Sequence, residues 1–328
     1  MAALPLKGLF DKRNIALTRA KLRAWWDGDE FDEAAATAAF EAANDGDKPV
    51  EGADEHLFDA PPFELSARQA ALAALWGDGR VRPGDDADDA ATIGRLALSG
   101  EGLLAVLSPG LAAPVSAFAA KHAGKIQVFE WRDETLDALK HGVHAAELIE
   151  RVSVARIDLE AHVFTPGLFD GLISTDDFAY CGHPPHLAQQ VMKALKPGAA
   201  AVIECYVGLP IAELTTAFAS AFAEPQIRAH GDLLHVFKET GLVLEADDDL
   251  TEPFLERART GFKGLGERLG SDALNVSAAQ ELAWEAQAWR VRMRLLGQRR
   301  LERRRFVVRR PAEGAAAAAP AASEAQNP

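Results

Sequence analysis

Cysteine is nearly missing. Cys181 and Cys205 are the only two in 328 residues. Two thiols cannot build a disulfide framework or a cysteine metal cluster, so both are expected to be small buried apolar residues. Long apolar runs are missing too. No stretch reaches the ~18 residues that a membrane-spanning helix needs. Lys7 and Asp11 break up the first thirteen residues too early for a secretory h-region. Positive charge is in deficit: 35 Lys and Arg stand against 49 Asp and Glu, a net charge of −14. That balance argues against a general nucleic-acid or membrane-surface binder. The expectation is a soluble cytoplasmic protein with neither nucleic acid nor membrane as partner. The sequence does not fix its oligomeric state.

What is present is apolar material, 48% of the residues. That supports a large core and one α/β domain with appendages, or two domains. Charge is uneven along the chain. Residues 27–90 are acidic, while 290–310 carry ten arginines. Residues 14–44 read as an Ala-rich helix, with Leu17, Leu22, Trp25 and Trp26 at buried positions. Residues 45–65 read as a Gly-, Asp- and Pro-rich loop. Ser66 is placed to cap a helix over 66–76. A turn-dense loop, Trp76–Gly84, follows, and Asp88–Ser99 reads as helical.

From residue 102 strands and helices alternate. Strands are expected at 103–107, 126–130, 152–157, 169–174, 199–207 and 242–246. Helices are expected at 113–123, 133–147, 184–195, 210–222 and 230–240. Short apolar strands separated by helices make a mostly parallel sheet covered on both faces. Lys196-Pro197-Gly198 stops the helix before the fifth strand. Helices at 252–268 and 277–296 and a final strand at 305–309 complete the pattern. This divides the chain into an N-terminal helical, acidic extension (1–65), an α/β domain (66–310) and a disordered Ala/Pro/Glu/Ser tail (311–328).

The first strand, Leu103-Leu104-Ala105-Val106-Leu107, enters a turn, Ser108-Pro109-Gly110, and then a helix. Glu130 closes the next strand, twenty residues after Gly110. Rossmann-like folds place a ribose-binding carboxylate at that spacing. Only Gly110 remains of the expected glycines.

Taken in order, the strand–turn–helix, Glu130, Asp158 after the third strand, Phe169-Asp170-Gly171-Leu172-Ile173-Ser174, and Leu195-Lys196-Pro197-Gly198 resemble a class I S-adenosylmethionine-dependent methyltransferase. The resemblance covers roughly 70–310. Trp76–Gly84 is similar to the segment preceding the cofactor strand in the branch acting on small amines, such as phosphoethanolamine and glycine derivatives. Arg304–Val308 is similar to that branch's final strand. The resemblance implies a Rossmann-like α/β fold with a mostly parallel seven-stranded sheet flanked by helices, behind the N-terminal helical extension. It also implies S-adenosylmethionine as cofactor and a small-molecule substrate.

By the same resemblance, Ser108, Gly110, Glu130, Trp131, Asp158, Leu159 and Thr175 are the cofactor-binding positions. Glu130 would accept from both ribose hydroxyls. Trp131 would cover the adenine, and Asp158 with Leu159 would meet its amino group and ring. Asp176 and His183 are catalytic candidates, since the residues after the fourth strand face the transferred methyl, and Tyr206, at the end of the fifth strand, is a third. Asp177 and Tyr180 lie in the same stretch. The departures are Val106 at an acid position, Ser108-Pro109 at the first glycine, and Ala112 and Ala113 beyond it. A non-glycine residue held at positive φ costs roughly 1–2 kcal/mol, and Pro109 removes an N–H donor.

Three functions compete: an active methyltransferase transferring to nitrogen or oxygen, a degenerate methyltransferase-fold protein serving as a binding or regulatory module, and a nicotinamide-dependent oxidoreductase. The last needs the glycine turn most, for its pyrophosphate. His141/His144 and His183/His186 have metal-ligand spacing but no completing set, so no metal is expected. The basic run Arg299–Arg305 reads as a solvated helix end rather than a nucleic-acid site. Gly261–Gly266 is not placed between strand and helix, so it is not a phosphate loop.

Overall fold

The computed structural model describes residues 63–209, 226–263 and 274–312, together with Ala34, Ala35, Thr37 and Leu265. A division into two units falls between Pro62 and Phe63, and everything below belongs to the second. The expected helices over 14–44 and 210–222 and the tail beyond residue 312 lie outside the described residues, apart from the three early positions named.

Helix α1 spans Ala67–Trp76. Ser66 starts it through a capping box: Gln69 N donates to Ser66 Oγ at 3.2 Å, and Ser66 N donates to Gln69 Oε1 at 3.0 Å. Helix α2 is Asp86–Ile93, earlier and shorter than the expected 88–99. Two local causes shift it. Asp85 accepts from Ala87 N and Asp88 N and so begins the helix. Gly94 ends it, and Leu96 and Leu98 then turn inward against the sheet at Gly171.

The sheet has seven strands in the order β3-β2-β1-β4-β5-β7-β6. They are β1 Leu104–Leu107, β2 Ile126–Glu130, β3 Val152–Arg156, β4 Phe169–Thr175, β5 Leu195–Gly208, β6 Val243–Asp249 and β7 Leu301–Arg309. The first five pair in parallel, and β7 is antiparallel to both β5 and β6. Each expected strand forms. β5 begins four residues early because Leu195 already pairs with Phe169, and Gly198 takes the turn at φ +81°. β7 also begins four residues early. The run Arg299–Arg305 is therefore not a solvated helix end. Most of it is strand, with Arg303 and Arg305 buried.

Helices α3 (Ala112–Lys121) and α4 (Asp133–Ala145) cover one face of the sheet. There Val106, Ile173, Val202 and Val307 meet Val115 and Leu139. Helices α6 (Pro184–Ala194) and α7 (His230–Glu239) cover the other, where Leu172, Ile203 and Phe306 meet Leu187 and Phe237. The one-turn helix α5, Asp177–Tyr180, follows β4. A third cluster joins α1, α8 (Thr251–Phe262) and α9 (Val276–Gly297) through Trp76, Leu255, Leu282 and Trp289. It also takes in Tyr206 near the end of β5 and Leu301, so these helices roof the carboxyl ends of the central strands. Fully burying each such side chain contributes roughly 1.5–3 kcal/mol.

Candidate active site

The turn after β1 is held from below. Ser108 sits at φ +51° and Gly110 at φ +83°. Ser108 N donates to Phe129 O at 2.8 Å, which ties the turn to β2. Its Oγ donates to Asp177, and Ser174 Oγ donates to the other oxygen of Asp177 at 2.6 Å. These bonds offset the cost of a left-handed serine, roughly 1–2 kcal/mol. Ala112 and Ala113 are helical, so they add no such cost. Burial pushes the Asp177 carboxyl up to about 6, against the two serine hydroxyls that favour its charged form.

Glu130 ends β2 with 0% exposure. Its Oε2 accepts from Gly110 N at 3.2 Å, so the first two strand tips meet. Its Oε1 accepts from Trp131 N, Arg132 N and Arg132 Nη1 at 3.0, 3.0 and 3.2 Å. Burial pulls Arg132 down, but Glu130 outweighs it and the guanidinium stays above its ordinary value. Arg132 lies over the rings of Trp131 and Tyr180, 4.4 and 4.9 Å from their centroids. Those rings pack on each other at 5.0 Å.

The remaining expected positions separate. Asp158 is exposed and accepts from Glu160 N at 2.9 Å. Leu159 is in the core beside Phe129 rather than at an open cleft. Glu160, not singled out from the sequence, accepts from Gly182 N and His183 N and ties the loop after β3 to the start of α6. His183 is exposed and lines neither cavity described below, so the structure does not bring it to Asp176 and Tyr206.

A cavity of about 110 Å³ lies between α1, α9 and the ends of β4 and β5, lined by Arg82, Arg132, Asp176, Tyr180, Tyr206 and Arg292, among others. A second, of about 130 Å³, lies on the sheet face under α2, and Arg80, Arg82, Thr175, Glu204, Arg303 and Arg305 are on its walls. Thr175 thus opens onto a different cavity from Asp176. Arg303 links the two: it donates to Asp176 and, at 3.5 Å, to Glu204 Oε2. Arg305 Nε and Thr92 Oγ1 reach Glu204 Oε1 at 2.8 Å each. Burial would raise Glu204, but Arg303 and Arg305 outweigh it and hold the carboxylate below its ordinary range. Tyr206 Oη accepts from Arg292 Nη1 at 3.1 Å. Arg82, Arg132, Arg303 and Glu204 were not legible as site residues. For Arg303 a signal existed: Leu301, Arg303, Arg305 and Val307 alternate onto one strand face.

No protein-family model matches the chain, and no curated protein matches its sequence. Solved structures do match. A phosphoethanolamine N-methyltransferase 2 of Haemonchus contortus, in complex with S-adenosyl-L-methionine, superposes with a TM-score of 0.64 at 19% identity, over 77% of this chain and 61% of that one. The chain has the class I methyltransferase fold. A putative sarcosine dimethylglycine methyltransferase from Galdieria sulphuraria gives 0.61 at 11% identity, over 75% and 99% of the two chains. Geranyl diphosphate C-methyltransferase from Streptomyces coelicolor A3(2) gives 0.54 at 13%, over 68% and 75%. The chain thus spans less than two thirds of the Haemonchus protein. Among the described residues no group of His, Cys, Asp and Glu is arranged to hold a metal ion, and no helix is long and apolar enough to cross a membrane.

Proposed function

We propose that this chain is an S-adenosylmethionine-dependent methyltransferase acting on a small molecule, by transfer to nitrogen or oxygen. The carrying observation is the meeting of the first two strand tips: the Glu130 carboxylate at Gly110 N, beside a cavity that reaches Asp176 and Tyr206. The donor set suits an adenosyl group. Glu130 can accept from ribose hydroxyls with charge assistance. Trp131 offers a ring for the base, and its Nε1 is buried with no hydrogen-bond partner among the described residues. Asp158 would stand on the adenine side, with Ser108 and Gly110 toward the amino-acid end; Leu159, in the core, and Thr175, on the other cavity, stay out of this set. The space over Gly110 is taken by Val81, whose Cγ2 lies 2.3 Å from where a Cβ on Gly110 would stand. The Gly77–Gly84 loop must therefore shift when the cofactor enters.

When bound, the cofactor supplies an electrophilic methyl group. The residues of the chain then hold the acceptor in line, which is where most of the catalysis in such a transfer arises. Asp176, ion-paired to Arg303, and Tyr206 flank the acceptor space, while His183 is too far out for that role. Calorimetric titration with S-adenosylhomocysteine tests the reading. Wild type is expected to bind, and Glu130→Gln to bind more weakly by about 1.5–3 kcal/mol, the worth of a charge-assisted hydrogen bond. No heat at a millimolar excess would remove the reading.

One observation favours a second reading, a protein of this fold that no longer transfers methyl groups and serves as a binding module. Both Glu130 oxygens are already used by protein donors. Under that reading wild type takes no cofactor, and Val81→Ala creates affinity. Restoring an acid at Val106 would not test it, because Val106 is fully buried inside the sheet.

A further inference from the structure

Most of the guanidiniums around the two cavities are matched to carboxylates. Arg80 pairs with Asp86 and Asp89 at 2.7 Å each. Arg303 pairs with Asp176 and Glu204, Arg305 with Glu204, and Arg132 with Glu130. Among the described residues Arg82 makes one hydrogen bond, Nη1 to Pro109 O at 3.1 Å, and no ion pair. Its side chain is a wall of both cavities. Around it, four guanidiniums (Arg80, Arg82, Arg303, Arg305) face three largely buried carboxylates (Asp89, Asp176, Glu204), since Asp86 is 86% exposed. One positive charge is left over. Burial pushes Arg82 below its ordinary value, with Asp176 opposing and Arg303 adding to the fall. Burial also opposes the charge on Arg80 and Arg303, but their carboxylates outweigh it.

A second observation points the same way. An ammonium group is held well by aromatic faces. Here those rings already carry guanidiniums: Arg132 over Trp131 and Tyr180, and Arg292 and Arg303 over Tyr206, at 4.4–4.9 Å. The acceptor space therefore repels a bare cation and lacks one negative charge.

We propose, resting on the methyltransferase reading above, that Arg82 is a specificity-determining residue for a compact oxyanion, a carboxylate or a phosphate, carried by the methyl acceptor. Arg82 has a planar fork of donors, and only one of them is used by the protein. Either cavity measures more than 100 Å³, room for such a group and its waters.

The test titrates the whole protein with sodium acetate, sodium phosphate and, at matched ionic strength, sodium chloride. Tryptophan fluorescence and the thermal midpoint are read, with and without saturating S-adenosylhomocysteine. Acetate or phosphate is expected to give a saturable shift that chloride does not, and whichever binds more tightly names the group. Arg82→Gln should weaken it about tenfold or more, and Arg82→Lys by less. The shift should persist in the presence of S-adenosylhomocysteine. Equal responses in wild type and Arg82→Gln, or no saturable response, would overturn the proposal. Displacement of the anion by S-adenosylhomocysteine would also overturn it, because Arg82 would then serve the cofactor's own carboxylate. If the anion binds at Arg82 but S-adenosylhomocysteine does not bind at all, the methyltransferase reading fails while the anion site stands. Midpoints of both variants without ligand separate loss of binding from loss of fold.

Discussion

Gly110 carries two constraints that can be separated. Its φ of +83° disfavours any side chain by roughly 1–2 kcal/mol. A Cβ there would also stand 2.3 Å from Val81 Cγ2. Gly110→Ala is expected to cost more than the backbone penalty alone. Val81→Ala in the same chain should recover the steric part and leave the backbone part, which a double-mutant cycle in urea would measure. If the two changes simply add, Val81 does not rest on Gly110. Asp177 makes a different kind of prediction. Its carboxyl is raised from 3.8 to about 6, so the folded state holds its proton more tightly than the unfolded chain does. Stability from this group is present below pH 4 and is lost as pH rises through about 6, by a few kcal/mol at most. Asp177→Asn removes that dependence. The difference in unfolding free energy between wild type and variant should therefore fall from pH 4 to 7. A flat difference would show that Asp177 titrates normally.

At the scale of elements, β7 ties the site to the sheet by charge as well as by its ladder. Removing one partner of a buried pair leaves an uncompensated charge and costs about 3–5 kcal/mol, whereas an exposed pair contributes about 0–1. Arg303→Met, which strands Asp176, is expected to fall in the first range. Arg309→Met, beside the half-exposed Glu245, should fall in the second. Equal losses in chemical denaturation would mean that the buried pairing contributes nothing special. The elements themselves were readable because buried parallel strands are near-continuous apolar runs, as in Leu104–Leu107 and in Val128–Phe129 after Ile126. What misled the reading was local. Asp85 and Gly94 moved α2 forward, since capping outweighs an apolar pattern that runs on to Leu98. Arginines hid the first four residues of β7, since charge signals exposure until a partner is found, and Asp176 and Glu204 are more than ninety residues away in sequence from Arg303. That Gly110 and Glu130 meet at the strand tips was legible from spacing. Arg82 was not, because its role depends on where a loop lands.

For the whole molecule, the net charge of −14 conceals an internal separation of charge. The arginines of β7 are spent inside or along its edges: Arg303 and Arg305 on Asp176 and Glu204, Arg304 on Asp247, Arg309 on Glu245. Arg299 next to the strand pairs with Asp249. Arginines already held by the chain's own carboxylates displace no counterions from a phosphate backbone. A labelled DNA duplex titrated at about 50 mM salt should therefore give no saturable anisotropy change, even though the sequence holds ten arginines within 290–310. Raising pH should not alter this, since guanidiniums do not titrate. Saturable binding at neutral pH would show that these pairs open in solution, and the buried charge network around Arg303 would have to be redrawn.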